Sequence, residues 1–299
     1  MKTMEITQRR SLEYFWGRLP VVLRAVVAGS VVLIAGGILT TPLIYANLKL
    51  WPSVPWSVLG LAIYMGLFWR YLGGRWGPRW TSDARRQSLR ARRLSRRVWW
   101  WAMLAGYLAM VSNFALHRVV ARLTPLRFDV PDVLQQFPPV TLVAILLMVS
   151  AIAGIVEEAA FRGYMQGPIE KRHGVVMGIA VASVVFGAAH LTDWQPSMTI
   201  ARMFFIVLAS AVYGILAHLV NSIRPGIVLH ATGDAIGIGL IWWFSTHPSS
   251  AARDPGLAAA LAEPTFLINL GVAVAFGIAA VWAFRRLAFV AGSERPTVS

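Results

Sequence analysis

The 299-residue chain contains no cysteine. Disulfides, thiolate nucleophiles and thiolate metal ligands are thereby excluded, while the redox compartment is left open. Acids are scarce, 13 against 28 Lys and Arg, and charged residues of both signs together make up only 14% of the chain. A soluble domain of ordinary composition carries about a quarter. The first 20 residues lack the apolar core and small-residue cleavage site of a secretory leader, so no removable signal peptide is expected. Internal repeats and low-complexity segments are also lacking.

What fills the chain instead is apolar. Hydrophobic residues reach 57% and the mean hydropathy is +0.60. Runs near the ~20 residues that a bilayer demands recur over 23–46, 55–73, 99–116, 139–162, 174–191, 199–220, 225–244 and 265–284. Pro and Gly punctuate their boundaries, as at Pro52, Pro78, Pro138 and Pro264. The pattern predicts an all-α, polytopic integral membrane protein with about eight transmembrane helices. It divides into an interfacial N-terminal segment (1–22), N-terminal helices with an Arg-rich loop at 75–97 (23–138), core helices (139–244), and a last loop, helix and tail (245–299). Residues 6–20 have the mixed composition of an amphipathic lead-in along the membrane surface. Residues 246–263 read as an exposed loop and 291–299 as a loose tail.

A net charge of +15 raises the question of nucleic acid, and its distribution answers it. Nine arginines and a single acid, Asp83, crowd between Arg75 and Arg97, with apolar segments on both sides. Such a loop suits a cytoplasmic face apposed to anionic lipid, so no nucleic-acid partner is expected. The simplest reading of the loop is a solvated orientation signal. Lys171, Arg172, Arg224, Arg285 and Arg286 fall on the same side if the spans alternate. The asymmetry predicts a multi-pass cell-membrane protein with both termini in the cytoplasm.

Ionisable groups inside apolar spans are costly and mark function. Among the acids these are Glu157, Glu158 and Asp234; among the six histidines they are His190, His218 and His230. Glu158 and Arg162 are four apart and share a helix face, whereas Glu157 is turned about 100° from Glu158 and needs another partner. His230 and Asp234 are also four apart, a spacing that suits a proton relay, half a metal site or a buried hydrogen bond. Phe186 and His190 stand one turn apart among Gly187, Ala188 and Ala189, small residues that admit a neighbouring helix. His218 has no acid on its own span and reads as structural. The fourth and fifth spans form a hairpin with its tip near His173, which sets Glu157 and His190 at similar depth. One carboxylate, two imidazoles and an Asp then converge as an acid/base site.

In this order, E-E-x3-R (Glu157, Glu158, Arg162), F-x3-H (Phe186, His190) and H-x3-D (His230, Asp234) resemble the three motifs of the CPBP (CAAX protease and bacteriocin-processing) family, which includes the type II CAAX prenyl endopeptidases. The resemblance covers roughly 139–244. It implies an intramembrane endopeptidase acting on a membrane-associated peptide or protein, CAAX-type and prenylated in the best-fitting case. By carry-over, Glu157 with His190 activates a water, His230 with Asp234 stabilises the oxyanion, and Glu158, Arg162 and Phe186 support them. Position 234 is Asp where the family most often has Asn. The expected chemistry needs no obligatory metal, zinc on the two histidines and carboxylates being the alternative. Two further readings use the same residues: a catalytically silent binding or immunity protein, and a proton-coupled transporter.

Overall fold

A computed structural model describes residues 16–123, 136–191, 196–246 and 256–294, apart from the side chains of 196–202 and 241–246. Most of the lead-in expected at 6–20 and part of the loop expected at 246–263 lie outside the described residues. Among those described, all regular structure is helical. The chain is an all-α membrane protein. Every apolar stretch coincides with a helix, and five segments are long and apolar enough to cross a bilayer: Val21–Leu50, Arg96–Leu123, Pro139–His173, Met203–Val220 and Pro264–Ser293. Val175–Ala189 is a shorter apolar helix.

The first apolar run is two helices, α1 (Val21–Gly37) and α2 (Thr40–Leu50), followed by α3 (Trp56–Leu72). The Arg-rich stretch is more structured than a solvated loop. It holds a short 3-10 turn (Arg79–Thr81), the helix α4 (Ser82–Leu89) and the start of α5 (Arg96–Leu123). Arg85 is buried within it and stacks on the Tyr71 ring at 4.2 Å. Its guanidinium also donates to the carbonyls of Trp76 and Pro78.

The next helix begins as α6 (Pro139–Glu157), widens into a π-helical segment (Glu158–Gln166) and returns to α-geometry as α7 (Gly167–His173). Together these 35 residues span on the order of 50 Å, well beyond a hydrocarbon core of ~30 Å. Glu157 therefore sits near the middle of a continuous helix and not at its end. Gly174, with φ of +87°, makes the reversal that a side chain would strain, and α8 (Val175–Ala189) runs back. Then follow α9 (Pro196–Val220), α10 (Arg224–Thr246), α11 (Leu257–Leu261) and α12 (Pro264–Ser293).

Two of the sequence-based boundaries are corrected. LAAAL within the expected 246–263 loop is helical, and Ala260 is buried against Val119 and Phe266. Its alanines are the best helix formers and small enough to seat there. The expected tail at 291–299 begins later, since α12 continues to Ser293.

The helices pack as a bundle in which α6 lies against α10, α1 against the π segment, α8 against α9, and α5 against α12. Small residues permit these approaches. A Cβ on Gly154 would meet the Ile227 carbonyl at 2.6 Å, and one on Gly36 would meet Val156 at 2.4 Å. Close backbone contact replaces the hydrophobic driving force that lipid cannot supply.

Candidate active site

The site begins with the π segment. A π-turn widens the helix and recurs at functional sites. Here it starts at Glu158, one residue after Glu157. Glu158 and Arg162 pair as expected, with Oε1 3.0 Å from Arg162 Nη1 and both side chains fully buried. The guanidinium also donates through Nη2 to the Ser210 hydroxyl at 2.7 Å and to the Ser210 carbonyl at 2.9 Å. Three aromatic rings enclose it: Phe186 at 4.8 Å, Tyr213 at 5.0 Å and Phe161 at 5.9 Å. An arginine at such depth is tolerable because hydrogen bonds, a carboxylate and π-faces together replace its water.

Glu158 does more than pair with Arg162. Its Oε1 lies 3.2 Å from Nδ1 of His230. An ionised carboxylate only accepts, so Nδ1 carries the proton and the ring is oriented with Nε2 outward. Nε2 is 3.6 Å from Oε2 of Glu157 and 3.6 Å from Oδ2 of Asp234. The separate partner expected for Glu157 is thus the imidazole whose other nitrogen Glu158 holds. Tyr213 stacks face to face on His230, with centroids 4.8 Å apart and planes inclined by 13°. Phe186 covers the ring from another side at 5.8 Å.

His190 ends α8. Its Nδ1 is 2.8 Å from the Phe186 carbonyl. A carbonyl cannot donate, so Nδ1–H does, and Nε2 of the neutral ring is left as the acceptor. Its ring lies 4.6 Å from that of Phe186. The Phe186 ring thus lies against both imidazoles, His190 on its own helix and His230, whose Nε2 faces Glu157.

Exposure grades outward across the cluster. Glu158 and Arg162 have no accessible side-chain surface, His230 has 5%, Glu157 18% and Asp234 36%. Among the described residues, Glu157 Oε2 has no hydrogen-bond partner. Separations of 3.6 Å are too long for direct hydrogen bonds and suit polar groups that share a water. Among the described residues, no group of three or more His, Asp or Glu has the arrangement to hold a metal ion.

All seven residues singled out by the motifs meet here. Sequence reasoning missed Tyr213, Ser210 and Gly226. A Cβ on Gly226 would sit 2.4 Å from Glu158 Oε2, so the start of α10 can reach the carboxylate only as glycine. Ser210 and Gly214, four apart on α9, carry the small-residue spacing that signals helix contact and would have pointed to this face. His218, read as structural, lies away from the site, 3.6 Å from Glu170.

Comparison with known proteins bears on this same stretch. Residues 139–236 match the family model described as Type II CAAX prenyl endopeptidase Rce1-like. No curated protein and no solved structure matches the chain. The segment that builds the site is similar to the Rce1-like type II CAAX prenyl endopeptidases, consistent with the CPBP family of intramembrane peptidases and, at family level, with a CAAX-type protease.

Proposed function

We propose that this protein is an intramembrane endopeptidase that hydrolyses a peptide bond of a membrane-associated, CAAX-type prenylated substrate with a water activated by Glu157. The observation that carries this reading is the placement of His230. Glu158 holds its Nδ1 at 3.2 Å, while Glu157 and Asp234 face its Nε2 at 3.6 Å each. Amide hydrolysis needs a base, a water and donors aimed at the developing oxyanion.

In the proposed roles, Glu157 takes a proton from the water, helped by Nε2 of His190, and gives it to the leaving nitrogen as the C–N bond breaks. His230 in its imidazolium form donates from Nε2 to the tetrahedral oxyanion, and Asp234, when protonated, adds a second donor. The Glu158–Arg162 pair keeps His230 in the required orientation, as a carboxylate behind an imidazole does in other acid/base sites. No resident metal is part of this scheme. The arginine distribution supports an orientation with both termini in the cytoplasm, and reporter fusions after Arg97 and after Arg286 should both read out that side.

The decisive experiment uses protein in proteoliposomes with a farnesylated CAAX peptide and the same peptide without the lipid. Cleavage of the farnesylated form, lost by at least ~10²-fold in Glu157→Gln, is the expected result. Equal turnover by the folded Glu157→Gln variant would refute the role of Glu157. Cleavage regardless of the lipid would remove the CAAX part of the reading.

A further inference from the structure

A polar ladder runs on from Arg162 to residues that the proposed chemistry does not use. Arg162, Gln166 and Glu170 follow one another at intervals of four along the π segment and α7. Ser210, Gly214 and His218 repeat the same interval along α9. Each rung is made. Arg162 Nη2 donates to Ser210, Gln166 Nε2 donates to the Gly214 carbonyl at 2.9 Å, and His218 Nδ1 stands 3.6 Å from Glu170 Oε1. Gln166 also donates to Glu170 Oε1 at 2.6 Å, which links two rungs along the helix. The middle rung requires glycine, since a Cβ at 214 would meet Gln166 Oε1 at 2.9 Å.

The lower end of the ladder is closed by the Arg-rich stretch. Arg90, whose φ of +51° is unusual for a residue with a side chain, turns its guanidinium inward. Nη1 pairs with Glu170 Oε2 at 3.0 Å and donates to the Arg162 carbonyl at 3.2 Å. Nη2 donates to the Ala217 carbonyl at 3.1 Å, and Nε to Asn221 Oδ1 at 3.3 Å. One side chain thus ties the π segment, α7, α9 and the turn before α10. The arrangement does not suit a proton path, because the Arg162 guanidinium does not give up its proton.

We infer that Gln166, Glu170 and Arg90 are positioning residues that fix the rotation and axial register of the π segment, and through it Glu157 and Glu158, against α9 and α10. The physical reason lies in the π-helix itself. Nine residues with i→i+5 bonds compete with a tighter α-helix of the same sequence. Relaxation to that form would rotate Glu157 and Glu158 relative to Gln166 and Glu170. Polar rungs within a bundle have few alternative partners, so they oppose such slippage where apolar contacts would slide. Buried polar groups that specify register have this function in coiled coils. The positioning role rests on the peptidase reading, whereas the register itself is independent of it.

The absence of cysteine allows both to be measured in the full chain. Spin labels at His173→Cys and Ile215→Cys report the distance between α7 and α9, and peptide cleavage by the same proteins reports turnover. Gln166→Leu and the milder Glu170→Gln should broaden the distance distribution and lower kcat about 10- to 100-fold, with KM changed little. Leu216→Ala, a buried change on α9 outside the ladder, serves as the control for simple destabilisation. It should lower Tm without either effect. A kcat within about twofold of the parent in folded Glu170→Gln and Arg90→Lys would overturn the inference, as would a kcat loss with an unchanged distance distribution. A parent chain that cleaves nothing would refute the peptidase reading, and the distance measurement would still decide the register.

Discussion

Nδ1 of His230 and Oε1 of Glu158 lie 3.2 Å apart on two different helices, and that oxygen is also 3.0 Å from Arg162 Nη1. The carboxylate is a shared acceptor. It neutralises a buried guanidinium and selects which nitrogen of the imidazole faces Glu157 and Asp234. Stability and chemistry are therefore coupled at Glu158.

Glu158→Gln tests that coupling. A Gln retains the shape but leaves the Arg162 charge uncompensated in the core. Removing one partner of a buried ion pair costs about 3–5 kcal/mol, so thermal stability in detergent should fall by a large margin. Turnover of the surviving folded fraction should also drop, because the amide no longer specifies the His230 tautomer. Unchanged Tm would show that Arg162 is satisfied by Ser210 alone.

Gly226→Ala reaches the same carboxylate from the opposite helix. The added methyl would be 2.4 Å from Glu158 Oε2, so either α10 or the carboxylate must move. Overpacking of this kind costs about 1–3 kcal/mol, and a shift of Glu158 alters the His230 contact as well. The expected outcome is a protein that folds, melts earlier and cleaves more slowly. Parent-like activity and Tm would show that this contact relaxes freely.

Asp234 offers a clean comparison of Asn with Ala. If it donates to the oxyanion it must do so as the neutral acid, and Asn supplies a permanent donor of nearly the same shape. Asp234→Asn should therefore stay active, while Asp234→Ala should lose roughly 10²–10³-fold in turnover. Equal inactivity of the two would mean that the negative charge is needed, making Asp234 an orienting partner of His230.

Exhaustive chelation distinguishes a Glu-activated water from a metal-bound one. We expect turnover to be largely retained in chelator and added zinc to inhibit, by occupying the histidines and carboxylates. Loss of activity restored by stoichiometric zinc would identify a metallopeptidase, because bound zinc lowers the pKa of its water.

Much of this was legible in the sequence. Apolar runs of bilayer length declare the membrane helices, since lipid demands an internally bonded backbone and a hydrophobic surface. Glu157, Glu158, Arg162, His190, His230 and Asp234 stand out for the same reason, as polar groups where polarity is costly. The periodicity also placed Glu158 with Arg162, because residues four apart on one helix are neighbours whatever surrounds them.

Contacts between helices had no such local signal. A 3.6-residue repeat predicted that Glu157 and Glu158 would face different partners, and only the crossing of α10 over the π segment puts one imidazole between them. Gly226 resembles any other helix glycine, and the Ser210–Gly214 spacing marks a contact without naming its partner, until Glu158 and Gln166 are seen 2.4 and 2.9 Å from where a Cβ would be. His218 and Arg90 lacked partners in their own segments, and found Glu170 through the fold. The sequence by itself determined which residues would be costly in a membrane; only tertiary packing decided which of them share a proton, a charge or a wall, because those depend on distances between helices.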